Sequence, residues 1–125
     1  MPGILPHLAA VFLLTYIGLR RYPDYFQGEE KTCERYQLFF VVLICSFIPD
    51  SILAFHYLTG ISSFDALARF HSILHFLLMW ASIILLLLLR YRIELKRKPL
   101  WVMGTWAVLL HVVMDIFIPD SGILY

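Results

Sequence analysis

The sequence predicts an all-α polytopic membrane bundle with four transmembrane helices, and three observations carry that expectation. Mean hydropathy is high, at +0.79. Of the 125 residues, 61% are hydrophobic and only 15% charged, which sets the chain apart from an ordinary soluble domain. The apolar residues fall into four runs, about 4–19, 37–58, 64–89 and 99–118, and roughly 20 such residues suffice for a helix to cross a bilayer. A single membrane-embedded domain, 1–125, accounts for all four.

Run 4–19 is apolar apart from His7, Thr15 and Tyr16. No Lys or Arg precedes it and no small-residue cleavage site follows, so a cleaved signal peptide is not expected. Residues 20–35 mix charges of both signs with Pro23 and Gly28, the pattern of a solvated loop, with a short helix from Glu29. Run 37–58 is interrupted by Pro49 and Asp50, where the missing backbone N–H should bend the helix beside a carboxylate. Residues 59–63 read as a turn, with Ser62 or Ser63 capping the third helix. Run 64–89 opens with polar residues and places His71 and His75 on one face. The one strongly basic segment, 90–98, leads into the fourth run. Cys33 and Cys45 lie about twelve residues apart on one loop-helix segment, too far for a disulfide.

Four crossings put both basic loops on one side of the bilayer. Arg20, Arg21, Lys31 and Arg35 occupy the first, and Arg90, Arg92, Lys96, Arg97 and Lys98 the second, whereas only Arg69 lies near the opposite face. The positive-inside rule then places both termini outside the cytoplasm. A net charge of +1 gives no basic surplus for nucleic acid, so the bilayer is the expected partner and nucleic acid is not.

Within the fourth run His111 and Asp115 stand one helical turn apart on a single face. An ionised Asp at that depth costs about 3 kcal/mol on insertion scales, so it requires a partner. A metal ion meets that need. Counted from the outer end of each run, His7, Asp50, His71 and Asp115 fall within one outer-half slab, so four helices can gather His7, Asp50, His71, His111 and Asp115. Asp50, His71, His111 and Asp115 form a nitrogen and carboxylate set that suits zinc, and also manganese or iron. If Asp115 bridges to a second ion held by His7, the result is a two-metal site of the kind that clamps attacking and leaving oxygens in phosphoester hydrolysis. The expected chemistry is a metal-activated water attacking an ester or phosphoester of lipid type, with Asp50 and His71 as catalytic residues. Arg69 either steadies an anionic substrate or snorkels to the interface.

The plainer alternatives assign His56 and His75 to hydrogen bonding across helices, with His75 otherwise a spare ligand or a group behind the ligands. They make a protonated Asp50 a glue residue and leave Asp65 and Asp120 at the surface. At the level of function they give a non-catalytic membrane interaction or assembly protein with a structural metal. A haem-binding bundle ligated by His111 with His71 or His75 is the remaining alternative. The pentapeptide Phe47-Ile48-Pro49-Asp50-Ser51 recurs as Phe117-Ile118-Pro119-Asp120-Ser121, a match too short to establish duplication.

Pro6-His7-Leu8, Ile48-Pro49-Asp50, His71-Ser72 and His111-Val112-Val113-Met114-Asp115, followed by Pro119-Asp120-Ser121-Gly122, span nearly the whole chain. In this order they resemble the bacterial and archaeal inner-membrane-associated, LexA-binding family of metal-dependent hydrolases, itself similar to zinc-dependent phospholipase C and single-strand nuclease folds. The resemblance implies an integral protein of the prokaryotic inner membrane. It also implies that Asp50, His71, His111 and Asp115 ligate one zinc, with Asp115 shared toward an ion at His7. The family usually reads His-Arg-Gly-x-Thr-His-Ser around the third element. Here Ala66 and Phe70 stand in place of the first His and the Thr.

Overall fold

The computed structural model of the chain describes residues 4–51, 54, 58–60, 64–92 and 94–117, with side chains for all of these except 4 and 64–68. All regular structure among the described residues is helical. Helix α1 spans Ile4–Arg21, a single turn α2 spans Pro23–Phe26, a 3-10 turn covers Glu29–Lys31, and α3 (Thr32–Phe47), α4 (Phe64–Tyr91) and α5 (Lys98–Phe117) follow. His56, Ser62, Ser63 and the 119–122 motif lie outside the described residues, as does the Ala66 side chain.

Among the described residues two helical stretches, Arg69–Tyr91 and Lys98–Phe117, are long and apolar enough to cross a membrane, where four were expected. The described helices of the other two runs are shorter. At 1.5 Å per residue the 18 residues of α1 reach about 27 Å and the 16 of α3 about 24 Å, against a hydrocarbon core of about 30 Å. Arg20 and Arg21 close α1, and proline chemistry closes α3.

The second apolar run is therefore not one bent helix. Pro49 cannot donate to the helical ladder, so α3 ends at Phe47 and the chain turns through Ile48–Asp50. Within the turn the Ile48 carbonyl accepts the Ser51 hydroxyl at 2.7 Å and the Ser51 N–H at 3.1 Å. An Ala54 N–H to Asp50 carbonyl bond of 3.0 Å then resumes helical pairing. Asp50 thus sits at the break, where its side chain can leave the axis of α3. At its other end α3 starts at Thr32 rather than at 37, because the 3-10 turn expected as a short helix from Glu29 runs directly into it.

Helix α5 is central, packing against α1, α3 and α4. Its Leu100, Met103 and Ala107 join Val11 and Leu14 of α1, Phe26 of α2, and Leu38 and Val42 of α3 in one buried cluster. Close helix crossings favour small residues. Gly104 fills that role: a β-carbon there would meet Val41 Cγ1 at 3.0 Å and Cys45 Sγ at 3.1 Å. Hydroxyls inside the apolar helices are satisfied locally, Thr15 donating to the Val11 carbonyl at 2.8 Å and Thr105 to the Trp101 carbonyl at 2.7 Å. Helix α4 packs on α5 and makes little contact with α1 or α3.

Gly104→Val should push α3 off α5 and destabilise the chain by about 1–3 kcal/mol, the usual cost of overpacking. It is read as a lowered thermal midpoint in detergent; an unchanged midpoint would contradict the close approach of these two helices.

Candidate metal centre

Four elements deliver six polar side chains to one end of the bundle. The turn of helix between His111 and Asp115 aims both from α5, and the same spacing aims His71 and His75 from α4. Helix α1 contributes His7 from its first turn, and the break after α3 contributes Asp50. His111 is fully buried and His7 is 3% exposed. The five residues expected from the sequence to meet, His7, Asp50, His71, His111 and Asp115, do come together, and His75 joins them.

Two of the contacts have hydrogen-bond distances, and the longer ones fall in the range seen among ligands of one ion. Asp50 Oδ1 lies 2.9 Å from His71 Nε2, 3.4 Å from His111 Nε2 and 4.0 Å from His75 Nε2. Asp115 Oδ2 lies 2.9 Å from His75 Nε2 and 3.3 Å from His111 Nε2, while its Oδ1 lies 3.7 Å from His7 Nε2. Ligands about 2.0–2.1 Å from a tetrahedral zinc stand roughly 3.3 Å apart, within the observed spread. Two sets could each hold a cation: Asp50, His71, His75 and Asp115 in one, His7, His111 and Asp115 in the other, with ligand atoms in each within 4.8 Å of one another. Asp115 belongs to both.

Hydrogen bonding leaves the cluster in need of a positive charge. The His71 carbonyl can only accept, so the contact of 3.0 Å from His75 Nδ1 fixes the proton there and turns Nε2 toward Asp115. A lone pair on Nε2 facing a carboxylate at 2.9 Å is repulsive unless a second proton or a metal ion lies between them. Both ring nitrogens of His111 and Oδ1 of Asp115 are buried without hydrogen-bond geometry to any partner among the described residues. The rings crowd as well, His7 on His111 at 4.3 Å between centroids and His71 on His75 at 3.9 Å. The donor set and these orphaned atoms fit a divalent ion with nitrogen and oxygen ligands.

Access exists on one side. A cavity of about 290 Å³ is bordered by His71, His75 and Asp115, with Phe76, Met79 and Ile116 forming its apolar wall. Arg69 is exposed two residues before His71. Cys33 and Cys45 are free thiols and belong to neither set.

His75, expected from the sequence to hydrogen-bond across helices or to serve as a spare ligand, meets Asp115 Oδ2 of α5 at 2.9 Å and falls within one of the two ligand sets. It stands four residues after His71, the spacing that also singles out His111 and Asp115. Comparisons with family models, with curated proteins and with solved structures return no match, so the site is read from its own geometry.

Metal analysis of the purified chain should find at least one divalent ion per chain. Asp115→Ala should empty both sets, and His75→Ala should weaken binding by at least tenfold. Protons compete for the same nitrogens, so acidification should release the metal. Metal content indifferent to both substitutions and to acid would contradict the ligand assignment.

Proposed function

We propose that the chain is a membrane-bound metal-dependent hydrolase, cleaving an ester or phosphoester bond in a lipid-type substrate. The observation that carries this reading is the sharing of Asp115 between two ligand sets beside an open cavity. Paired ions held by a common carboxylate are the arrangement that acts on both the attacking and the leaving oxygen of a displacement. Zinc is the preferred ion, since the donors are imidazole and carboxylate; manganese or iron would accept the same set.

When bound, the ion supplies Lewis acidity and a water acidic enough to attack at neutral pH. The protein's own contribution is position and proton handling. His71 and His75, side by side on one face of α4 with their rings tilted, hold one side of the cavity, and the His71 carbonyl keeps the His75 ring in a single tautomer. Asp50 is the more exposed carboxylate, 22% against 10% for Asp115, and with Oδ1 facing the imidazoles it can take up a proton at Oδ2. Phe76, Met79 and Ile116 give the opening an apolar rim.

A second feature favours a lipid-type substrate. The faces of α4 and α5 that bear His75 and His111 continue at helical spacing into Leu78, Ser82 and Leu85 and into Val108 and Gly104. With Cys45 of α3 and Ile48 just beyond it these residues line a largely apolar slot of about 580 Å³, opened because α4 stands away from α3. Leu78 lies three residues from His75 and Val108 three from His111, so an acyl chain in the slot would bring its head group to the cluster.

Four membrane-spanning segments, with the two basic loops on the cytoplasmic side, complete the proposal. The outward faces support it: Ile73, Phe76, Leu77, Trp80, Ile84 and Leu87 of α4 are exposed together, a surface suited to lipid. The haem alternative is disfavoured, because the His75 and His111 Nε2 atoms face carboxylates at 2.9–3.4 Å and leave no room for a macrocycle between them.

Zinc-loaded protein in detergent should hydrolyse long-chain phospholipid or lipid ester, lose the activity to a chelator, and fall at least 100-fold on His111→Ala or Asp50→Ala. Ala81→Phe, which fills the slot and leaves the cluster untouched, should depress long-chain turnover at least tenfold while sparing a short-chain chromogenic ester. Metal-loaded protein inert toward every ester class would overturn the enzyme reading and leave a structural metal site.

A further inference from the structure

The standoff of α4 leaves a second crevice, on its α1 side, at the end of the bundle away from the histidines. It encloses about 670 Å³ between α1, α4 and α5. Three cations from three helices border it: Arg21 at the end of α1, Arg90 in the last turn of α4 and Lys98 at the start of α5. Among the described residues no acidic side chain lines it, and its inner wall is apolar, built on Leu86, the fully buried Leu89 and Trp106.

Local helix electrostatics explain two of these charges and not the third. Arg21 and Arg90 sit at helix C-termini, where the backbone dipole favours a cation. Lys98 is the first residue of α5, where the dipole opposes one, and it is only half-exposed. Three like charges around one apolar recess repel each other unless an anion lies among them.

We infer that this crevice binds one anionic phospholipid, its phosphate held among Arg21, Arg90 and Lys98 and an acyl chain laid along Leu86, Leu89 and Trp106. The charge calls for a phosphate, and the apolar wall directly beneath it calls for a chain attached to that phosphate. Basic recesses between membrane helices are suited to such head groups. The inference is independent of the metal chemistry and rests on the membrane placement proposed above.

Native mass spectrometry of the full chain in non-ionic detergent tests it, with phosphatidylglycerol or phosphatidylcholine of matched acyl chains added. One phosphatidylglycerol should be retained with at least tenfold preference. The preference should vanish in R21Q/R90Q/K98Q and persist in R20Q/R92Q/K96Q, which removes the same charge from the same end outside the crevice. Equal retention of the two lipids by the unaltered chain would overturn the site without recourse to any variant. Equal loss in both triple variants would reduce it to unspecific charge and overturn it as well. Displacement of the lipid by inorganic phosphate at comparable concentration would make it a phosphate site and overturn the lipid assignment. Recovery of the chain in soluble form without detergent would overturn the membrane placement and this inference with it, leaving the metal centre untouched.

Discussion

Two carboxylates face four imidazoles at one end of an apolar bundle, and the rest of the structure is arranged around keeping that contact tolerable. A buried carboxylate without compensation costs several kcal/mol, and breaking a buried charged network by removing one partner is costlier than never having built it. Asp115 carries the heaviest demand. Its Oδ2 lies within 3.3 Å of two imidazoles and its Oδ1 faces a third. Only a positive charge shared among these atoms resolves the arrangement, whether as protons on the rings or as a metal ion among them. The spacing of the atoms is one in which a metal ion could be held.

The scaffold follows from that requirement. Helix α5 supplies His111 and Asp115 and is gripped by α1, α3 and α4, so the groups most in need of fixed positions ride on the best-packed element. The gripping depends on small residues, above all Gly104 against Val41 and Cys45. Helix α4 is held on one side only, and its separation from α1 and α3 creates two recesses of different character. The one on the α3 side is largely apolar and the one on the α1 side is bordered by Arg21, Arg90 and Lys98, so the proposed chemistry and the proposed anion site would lie toward opposite ends of the bundle.

Much of this was legible in the sequence, and the residues show why. His111 and Asp115 advertised themselves through helical spacing inside an apolar run, and counting depth from the ends of the runs put His7, Asp50 and His71 at the same level. Helix limits for α1, α4 and α5 fall within about two residues of the apolar runs, because charged residues at 20–21 and 90–98 bound them sharply. Two features were legible only in part. Pro49 marks the interruption of the second run, but whether the helix bends there or stops depends on the local turn, in which the Ile48 carbonyl accepts from Ser51. His75 reads as one more polar residue on a histidine-bearing face; its place is fixed by Asp115 from a helix 40 positions away and by the carbonyl of His71.

X-ray absorption at the metal edge of the purified protein addresses the central claim most directly, because it reports the atoms around the ion itself. The account predicts a first shell of nitrogen and oxygen at about 2.0–2.1 Å, with the outer scattering of several imidazole rings and no sulfur. A shell containing sulfur at about 2.3 Å, drawn from Cys33 or Cys45, or an ion surrounded by water oxygens without imidazole scattering, would contradict it.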